Sequence, residues 1–344
     1  MKNTFLTIIF SVFSTLIWSQ NNNLNQTDKD EKVIIKIIEE DPIFPGCEDV
    51  DSKERKNCFI QKINEHIQKN YNYPEKARKK KITGKVIVSF VINNEGEIKS
   101  IMARGPKNGE ILALVSKPTF DPNLFVEGID SENWKALNHS IDKPLLNRAI
   151  RGTYPPGSTY KPFMAMAALQ TGTRSATAIV NDPGYWMFGD HKFRSHGDGG
   201  LGAVDMYRSI VKSSNVYYYS LANDLGVDAM YDFMAPLGFG QITGIDLNGE
   251  VRGVLPNQEW KRKTYKRPEQ RKWYDGETIS LGIGQGYNAF TMLQLAQATA
   301  IVANGGIKHK PHLMIATQDP ISRKITPVEK TPPIVLGYKP ENVE

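Results

Sequence analysis

A serine and a lysine stand three positions apart at Ser158 and Lys161, where the sequence predicts the start of a helix. The preceding Pro-Pro-Gly disfavours a helix interior, whereas residues 164–169 are good helix formers, so we expect the helix to begin at the serine. Residues i and i+3 share one helix face, so the amine can reach the hydroxyl. A serine becomes a nucleophile when an adjacent base takes its proton, and a partly desolvated lysine can be that base. The pair therefore predicts acyl transfer without a histidine.

A second candidate group lies 52 residues after the lysine, in the triplet Ser213-Ser214-Asn215. The Ser213 hydroxyl can relay a proton between the lysine and a leaving amine, and the Asn215 amide can orient a peptide substrate. We expect both side chains to form a second wall of the same cleft. A serine and a lysine at this spacing also occur at ordinary solvated helix starts, so the prediction depends on both motifs together.

The composition is that of an ordinary globular protein. The chain has 344 residues, of which 40% are hydrophobic and 23% charged, enough for two domains with a real core. The net charge of +6 is mild. It fits a cell-envelope protein near an anionic polymer or lipid as well as a protein that binds nucleic acid.

The N-terminus is typical of an export signal. Lys2 precedes an almost wholly apolar run from Phe5 to Trp18, and Ser19 is a small residue at a plausible cleavage point. The run is shorter than the ~20 residues that span a bilayer, which favours cleavage. Ile17 fits the cleavage site poorly, so an uncleaved tether to the inner membrane stays open. We expect residues 1–19 to be a signal peptide and the protein to lie in the periplasm or cell envelope.

Two further segments precede the catalytic motifs. Residues 20–32 are polar and predict a disordered linker. Residues 33–106 predict a small αβ module with a first strand at 33–38, a helix, and a hairpin of strands 85–92 and 97–103. The helix is expected to place four apolar residues on one face: Phe59, Ile60, Ile63 and Ile67.

The two cysteines of the chain, Cys47 and Cys58, lie in the same module. Because an exported protein folds in an oxidising compartment, we favour a disulfide between them. Two buried free thiols are the alternative. Metal binding is disfavoured, since the nearby His66 would be only a third ligand.

Three short segments of the module carry a resemblance to the C-terminal domain of TonB-type energy-transducing proteins. They are Tyr73–Ala77 (YPEKA), Ile82–Val86 (ITGKV) and Val91–Ile98 (VINNEGEI). The Pro-Gly-Cys-Glu sequence at 45–48 and the second cysteine are similar to versions of this domain in Bacteroidetes-like bacteria. The resemblance covers residues 38–106 and implies contacts with other cell-envelope proteins. The second helix and last strand of the family do not follow residue 106.

From residue 107 the chain resembles the penicillin-binding protein 2 family of class B transpeptidases. Beside the two serine motifs, the likeness rests on Asn181–Trp186 (NDPGYW), Thr243–Leu247 (TGIDL), Pro256–Trp260 (PNQEW), Ser280–Gly286 (SLGIGQG) and Lys310–Leu313 (KPHL). The resemblance implies a mixed α/β (α+β) fold of the penicillin-binding and serine β-lactamase type, with an antiparallel sheet flanked by helices.

The resemblance also implies an activity without a cofactor. It implies a serine acyltransferase that cross-links peptidoglycan stem peptides and is acylated by β-lactams. Ser158 would attack the D-Ala-D-Ala carbonyl with Lys161 as general base, while Ser213 and Asn215 handle protons and position the peptide. The glycine-rich segment would line the substrate site with Gly284, Gln285 and Gly286.

The chain departs from the family at the third motif, Lys-Thr/Ser-Gly, which helps to bind the substrate carboxylate and form the oxyanion hole. Lys263-Thr264 is followed by tyrosine and Lys330-Thr331 by proline, so neither matches. Losing one oxyanion donor typically lowers the rate by about 10²–10³. We expect the domain at 107–344 to be truncated before this motif, and whether it is an active enzyme is left open. The alternatives are a non-catalytic TonB-like binding or energy-transduction protein and an inert chimera.

The sequence predicts no metal site. Some members of the family hold zinc with aspartates, a histidine and a cysteine. Asp182 would match one ligand, but Ser214 stands where the cysteine would be, and His191 and His196 are unconvincing substitutes.

Residues 260–273 interleave Lys and Arg with aromatic residues, as single-stranded nucleic-acid grooves do. An exported protein rarely meets nucleic acid, so we favour a surface loop near peptidoglycan or lipid.

The junction between the two resemblances predicts a hairpin. We expect Ile98–Ala103, a turn over residues 105–109 and a strand over residues 110–115 to pair. The TonB-like strand would then stand in for the strand that the transpeptidase family has just before Glu110.

Overall fold

The computed structural model describes residues 43–51, 54–70, 87–92, 98–104, 108–195 and 199–343. The chain divides into two compact units, one formed by residues 14–83 and 91–98, the other chiefly by residues 84–90 and 99–344. The expected signal peptide, linker and first strand lie outside the described residues. No helix among the described residues is long and apolar enough to span a bilayer.

The smaller unit contains helix α1, Arg55–Asn70. The predicted disulfide between Cys47 and Cys58 is confirmed. Phe59 is buried and packs edge-on against Phe44, with 6.0 Å between ring centroids. The expectation that Ile60 shares this buried face is wrong, because its side chain is 44% exposed. Adjacent helical residues lie about 100° apart around the axis, so the residue after Phe59 turns toward solvent.

Three strands form a sheet in the order β1-β2-β3: β1 is Ile87–Ile92, β2 is Ile98–Arg104 and β3 is Ile111–Ser116. β2 and β3 run antiparallel, with Ser100 opposite Ser116 and Met102 opposite Leu114. The predicted pairing across the junction is therefore confirmed. That β2 stands in for the strand that the transpeptidase family has just before Glu110 stays a prediction.

The larger unit consists mostly of helices and short strand pairs. Its helices are α2 Ser131–His139, α3 Arg148–Arg151, α4 Lys161–Thr171, α5 Met206–Val211, α6 Asn215–Leu225, α7 Val227–Met234, α8 Gln258–Thr264, α9 Pro268–Arg271, α10 Asp275–Leu281, α11 Met292–Ala303 and α12 Pro340–Val343. Two 3₁₀ turns lie at Pro122–Phe125 and Gly157–Tyr160.

The remaining strands form antiparallel pairs. They are β4 Thr153–Tyr154 with β9 Phe290–Thr291, β5 Val180–Asp182 with β8 Gly202–Val204, β6 Tyr185–Phe188 with β7 His191–Arg194, β10 Ile307–Lys308 with β13 Ile334–Val335, and β11 Ala316–Gln318 with β12 Ile325–Pro327. Helices combined with small antiparallel sheets confirm the predicted mixed α/β class.

The core of the larger unit is built around α4, α6 and α11, whose residues are buried on nearly all sides. Helices that are apolar all round are those that other elements cover completely. An aromatic cluster joins them at the start of α4. Tyr160 lies 5.4 Å from Phe239 and 5.9 Å from Phe290 between ring centroids, and Phe239 lies 4.6 Å from Phe290. These rings hold the chain immediately after Ser158 in place.

Candidate active site

Ser158 lies in the 3₁₀ turn Gly157–Tyr160, and α4 begins at Lys161. The expectation that the α-helix begins at the serine is therefore wrong by three residues. Pro162 has no N–H to donate and is tolerated only in the first helical turn, so the helix begins just before it. In a 3₁₀ turn residues i and i+3 lie one above the other, which keeps Ser158 and Lys161 on one face.

The glycine-rich segment before α11 braces this turn. The Gly157 N–H donates to the carbonyl of Gly284 at 3.0 Å. Gly284 has φ +72°, and a Cβ there would lie 2.3 Å from the Gly157 oxygen, so only glycine fits. Gln285 is partly exposed and Gly286 exposed. The structure thus gives Gly284 a supporting position, and the assignment of these three residues to substrate binding stays a prediction.

The predicted catalytic side chains meet around the amine of Lys161, which is 1% exposed. Its Nζ donates to the Ser213 carbonyl at 2.7 Å, the Ser213 Oγ at 2.9 Å and the Asn215 Oδ1 at 2.6 Å. The Ser213 Oγ in turn donates to the Ser158 Oγ at 3.0 Å. The structure therefore joins Lys161 to Ser158 through the Ser213 hydroxyl. The catalytic roles of the four residues stay predictions.

Ser213 sits in an unusual backbone conformation that explains its position. It has φ +53°, in the left-handed region, and directly follows Lys212, the C-cap residue of α5. The Ser213 N–H bonds the Ile210 carbonyl and the Ser214 N–H bonds the Ser209 carbonyl. This is a Schellman ending, in which glycine usually occupies the left-handed position. A serine there is strained by about 1–2 kcal/mol. The hydrogen bonds of its hydroxyl with Lys161 and Ser158 explain why a serine occupies the position where glycine is usual.

The middle residue of the triplet supports the other two. Ser214 caps α6 by accepting the Tyr217 N–H at 3.2 Å, and it donates to the Asp182 Oδ2 at 2.6 Å. Asp182 is 1% exposed and also accepts the Gly184 N–H at 2.8 Å. The buried Asp182 side chain accepts from the Ser214 hydroxyl and from the Gly184 N–H. These two hydrogen bonds fix the triplet against β5.

Among the described residues, no group of three or more His, Cys, Asp or Glu side chains is arranged to hold a metal ion. His196, one of the candidates weighed from the sequence, lies outside them. That the chain has no metal site therefore stays a prediction.

Tyr218 adds a π face to the lysine site. Its ring centroid lies 5.7 Å from Lys161 Nζ, and its hydroxyl accepts from the Ser209 Oγ at 3.1 Å. Burial raises the pKa of the Tyr218 phenol well above its usual range, so it stays neutral. The tyrosine therefore places a neutral aromatic ring, without a formal charge, beside the Lys161 amine. Sequence reasoning missed this residue, because a Tyr-Tyr-Tyr run in a buried helix does not indicate which ring faces the amine.

Comparison with known families and proteins gives similarities in both parts of the chain. Residues 100–336 match the profile described as "Penicillin binding protein transpeptidase domain", and residues 69–121 match the "Gram-negative bacterial TonB protein C-terminal" profile. The matches overlap over residues 100–121, which include β3 and most of β2. The domain boundary between residues 106 and 107 therefore stays a prediction.

The curated relatives include two proteins named peptidoglycan D,D-transpeptidase MrdA. The Acinetobacter baumannii protein is 50% identical over 224 residues, 64% of this chain and 33% of that protein. The Escherichia coli K12 protein is 40% identical over 226 residues, 65% of this chain and 35% of that protein. The chain thus spans about a third of the length of these relatives.

Solved structures give the same similarity. Pseudomonas aeruginosa PBP2, in complex with WCK 5153, is 41% identical with a TM-score of 0.63, covering 76% of this chain and 58% of that one. Helicobacter pylori PBP2, in complex with MreC, is 31% identical with a TM-score of 0.59, covering 66% of this chain and 41% of that one.

Proposed function

The chain belongs to the penicillin-binding protein transpeptidase family, and from that premise we propose that its cleft is a serine acyltransferase site of the D,D-transpeptidase type. Ser158 is the nucleophile and Lys161 the base. The observation that carries the proposal is the hydrogen-bonded path from the Lys161 amine through the Ser213 hydroxyl to the Ser158 hydroxyl. A buried lysine and two serines linked in this order can move a proton away from the attacking oxygen.

The proton path follows from the geometry. A neutral Lys161 amine accepts the Ser213 proton while Ser213 accepts the Ser158 proton, and the Ser158 oxygen attacks the substrate carbonyl carbon. A C–O bond forms and the C–N bond breaks. The leaving amine takes a proton back along the same path, which restores the neutral lysine. Asn215 keeps the amine on this path by accepting from it at 2.6 Å.

The substrate and location of the chain are part of the same proposal. The relatives' name implies peptidoglycan stem peptides ending in D-Ala-D-Ala, which leave D-alanine and an acyl-enzyme for an acceptor amine to resolve. A β-lactam has the same type of carbonyl, and its leaving nitrogen stays attached after acylation. This substrate class and the expected export signal support a location in the periplasm or cell envelope.

Labelling with a fluorescent penicillin tests the proposal. We expect the folded 344-residue polypeptide to form a covalent adduct that unlabelled penicillin competes away and that Ser158→Ala abolishes. The sequence contains no Lys-Thr-Gly or Lys-Ser-Gly, so the rate should be about 10²–10³ below that of a domain with the full oxyanion hole. Circular dichroism of both proteins controls for folding. An adduct that persists in folded Ser158→Ala overturns the assignment of the nucleophile.

A second candidate function rests on the TonB profile match at residues 69–121. In this alternative the chain binds other cell-envelope proteins, and the cleft has no turnover. The same labelling separates the two functions, because folded polypeptide that forms no adduct over hours favours binding without chemistry.

A further inference from the structure

One of the strongly basic stretches of the chain is residues 260–274, which we call the basic segment. It has seven basic residues and one acidic residue, Glu269. The other 329 residues have 36 basic and 36 acidic residues, so the segment accounts for the whole net charge of +6. The basic residues are Lys261, Arg262, Lys263, Lys266, Arg267, Arg271 and Lys272.

One of the seven basic residues, Lys261, has its side chain in the interior and holds the segment against the rest of the protein. Lys261 is 3% exposed, and its Nζ contacts both carboxylate oxygens of Glu277 at 2.5 Å. The rings of Trp273, Tyr274 and Tyr287 surround the ammonium, with centroids 5.6, 5.2 and 5.8 Å away. Because this lysine points inward and is neutralised, the other six cations cover the outside of the segment, where all are exposed.

The basic segment is packed onto the chain that supports the nucleophile. Tyr287 contacts Trp260 and Trp273, with ring centroids 5.2 and 6.1 Å apart, and donates to Glu277 at 2.9 Å. Tyr287 directly follows the glycine segment whose Gly284 holds the turn of Ser158. The basic segment is thus connected through Tyr287 to the glycine-rich segment that supports Ser158.

We propose that the basic segment is a docking surface for an acidic glycopeptide polymer, the carboxylate-bearing peptidoglycan strand. The proposal rests on the proposed function, which makes that polymer the substrate. Each stem peptide carries several carboxylates, so a strand is a polyanion that a cluster of cations attracts over about a Debye length. Planar arginines such as Arg267 also bind carboxylates in a bidentate manner. The surface concentrates strands on the unit that contains Ser158.

The packing favours a polymer over an anionic membrane. Binding to a lipid surface needs apolar side chains that project into the bilayer. Of the four aromatic residues in the segment only Tyr274 is exposed, at 49%, while Trp260, Tyr265 and Trp273 are partly buried. The helices here have only seven and four residues and present no apolar face of useful length.

The test compares two variants that each lose three exposed cations, in a Ser158→Ala background so that no turnover occurs. The first changes the segment at Lys266, Arg267 and Lys272 to glutamine. The matched control changes Lys324, Lys330 and Lys339, which are also exposed, to glutamine. Binding to purified sacculi is measured by co-sedimentation at 50 and 300 mM salt. Sacculi whose carboxylates are blocked as neutral amides, and vesicles with 30% anionic lipid, serve as alternative ligands.

We expect the segment variant to bind sacculi about tenfold more weakly at low salt, because it loses three of the six exposed cations. The binding of the segment variant should also depend about half as strongly on salt, because three of the six exposed cations stay, while the control variant keeps the affinity and the salt dependence of the parent. Blocking the carboxylates should weaken the parent protein to the same extent. Equal binding by the two variants overturns the proposal, as does parent binding that prefers the vesicles.

Penicillin acylation, measured with Ser158 restored, should be the same in both variants. Sacculus binding thus tests the docking surface, and acylation tests the proposed function, so the failure of one proposal is distinguishable from the failure of the other.

Discussion

Among the residues that the structure describes, two lysines are buried, and their surroundings differ in kind. Lys161 in the cleft is 1% exposed and donates to neutral oxygens of Ser213 and Asn215. Lys261 in the basic segment is 3% exposed and contacts the carboxylate of Glu277. Neutral acceptors tolerate loss of the lysine proton, whereas losing it beside a partly buried carboxylate leaves the charge of that carboxylate uncompensated. The first environment suits a base and the second a structural ion pair.

Replacing Lys161 by methionine should give the largest effect. We expect the rate of penicillin acylation to fall by about 10³-fold, because the proton path loses its acceptor. The free energy of unfolding should change much less, since methionine fills a similar volume and the oxygens that the amine contacted are neutral. Stopped-flow acylation and urea unfolding measure the two quantities. A loss of stability with unchanged acylation per folded molecule would show that Lys161 is structural.

Replacing Lys261 by methionine should give the opposite pattern. Removing Lys261 leaves the Glu277 carboxylate without its counter-charge, so the free energy of unfolding should fall by about 2–4 kcal/mol. Acylation per folded molecule should stay within a few-fold of the parent. The double variant Lys261→Met, Glu277→Gln should recover much of the stability, because it removes the stranded charge. If the double variant is no more stable than the single one, the ion pair is not the source of the effect.

Ser213 offers a finer separation of chemistry from stability. Both Ser213→Ala and Ser213→Gly remove the hydroxyl and should slow acylation by about 10²-fold. Glycine relaxes the left-handed backbone at φ +53°, so Ser213→Gly should be more stable than Ser213→Ala by about 1 kcal/mol. Thermal unfolding gives the difference. Equal stabilities would mean that the backbone at this position is not strained, and unchanged acylation would remove Ser213 from the proton path.

The pH dependence of the Lys261–Glu277 pair should be the smallest effect. Burial acts to raise the pKa of Glu277, but hydrogen bonds from Lys261, the Tyr274 N–H and Tyr287 hold it below its ordinary value. A carboxyl with a lowered folded pKa adds stability above its unfolded pKa and loses it as the pH falls through the folded pKa. The stability advantage of the parent over Glu277→Gln should therefore be full at pH 7 and shrink below about pH 4.

Urea titrations of the parent and Glu277→Gln at several pH values measure this advantage. An advantage that grows on acidification contradicts the lowered pKa.

The two serine motifs were predictable because their chemistry is local or depends on residue type. Ser158 and Lys161 are one turn apart, so any helical conformation brings them to one face. The path through Ser213 was not predictable, because it depends on how α5 ends. Nothing in the order of residues 209–214 distinguishes a left-handed serine from a helical one. The helix start was misplaced because Pro162 moves it three residues along.

The burial of Lys261 shows the same limit. Its partner Glu277 lies 16 residues away, and the aromatic side chains around it come from two parts of the chain, residues 273–274 and Tyr287. A pattern of Lys, Arg and aromatic residues predicted a surface loop. The loop is wrong, because α8 and α9 occupy most of this segment, but six of the seven cations are exposed at the surface. Only the packing shows that the seventh points inward. The expectation for Ile60 was wrong for a related reason, since the spacing of apolar residues does not say how wide the buried face of a helix is.

The central claim is that Ser158 is the oxygen that becomes acylated through the Ser213 and Lys161 path. The most direct measurement is peptide mass spectrometry after the parent polypeptide has reacted with a penicillin and been quenched in acid. We predict that the added penicilloyl mass lies on the peptide containing Ser158 and fragments to that residue. A penicilloyl group on another side chain, or none on protein shown to be folded, would contradict the account.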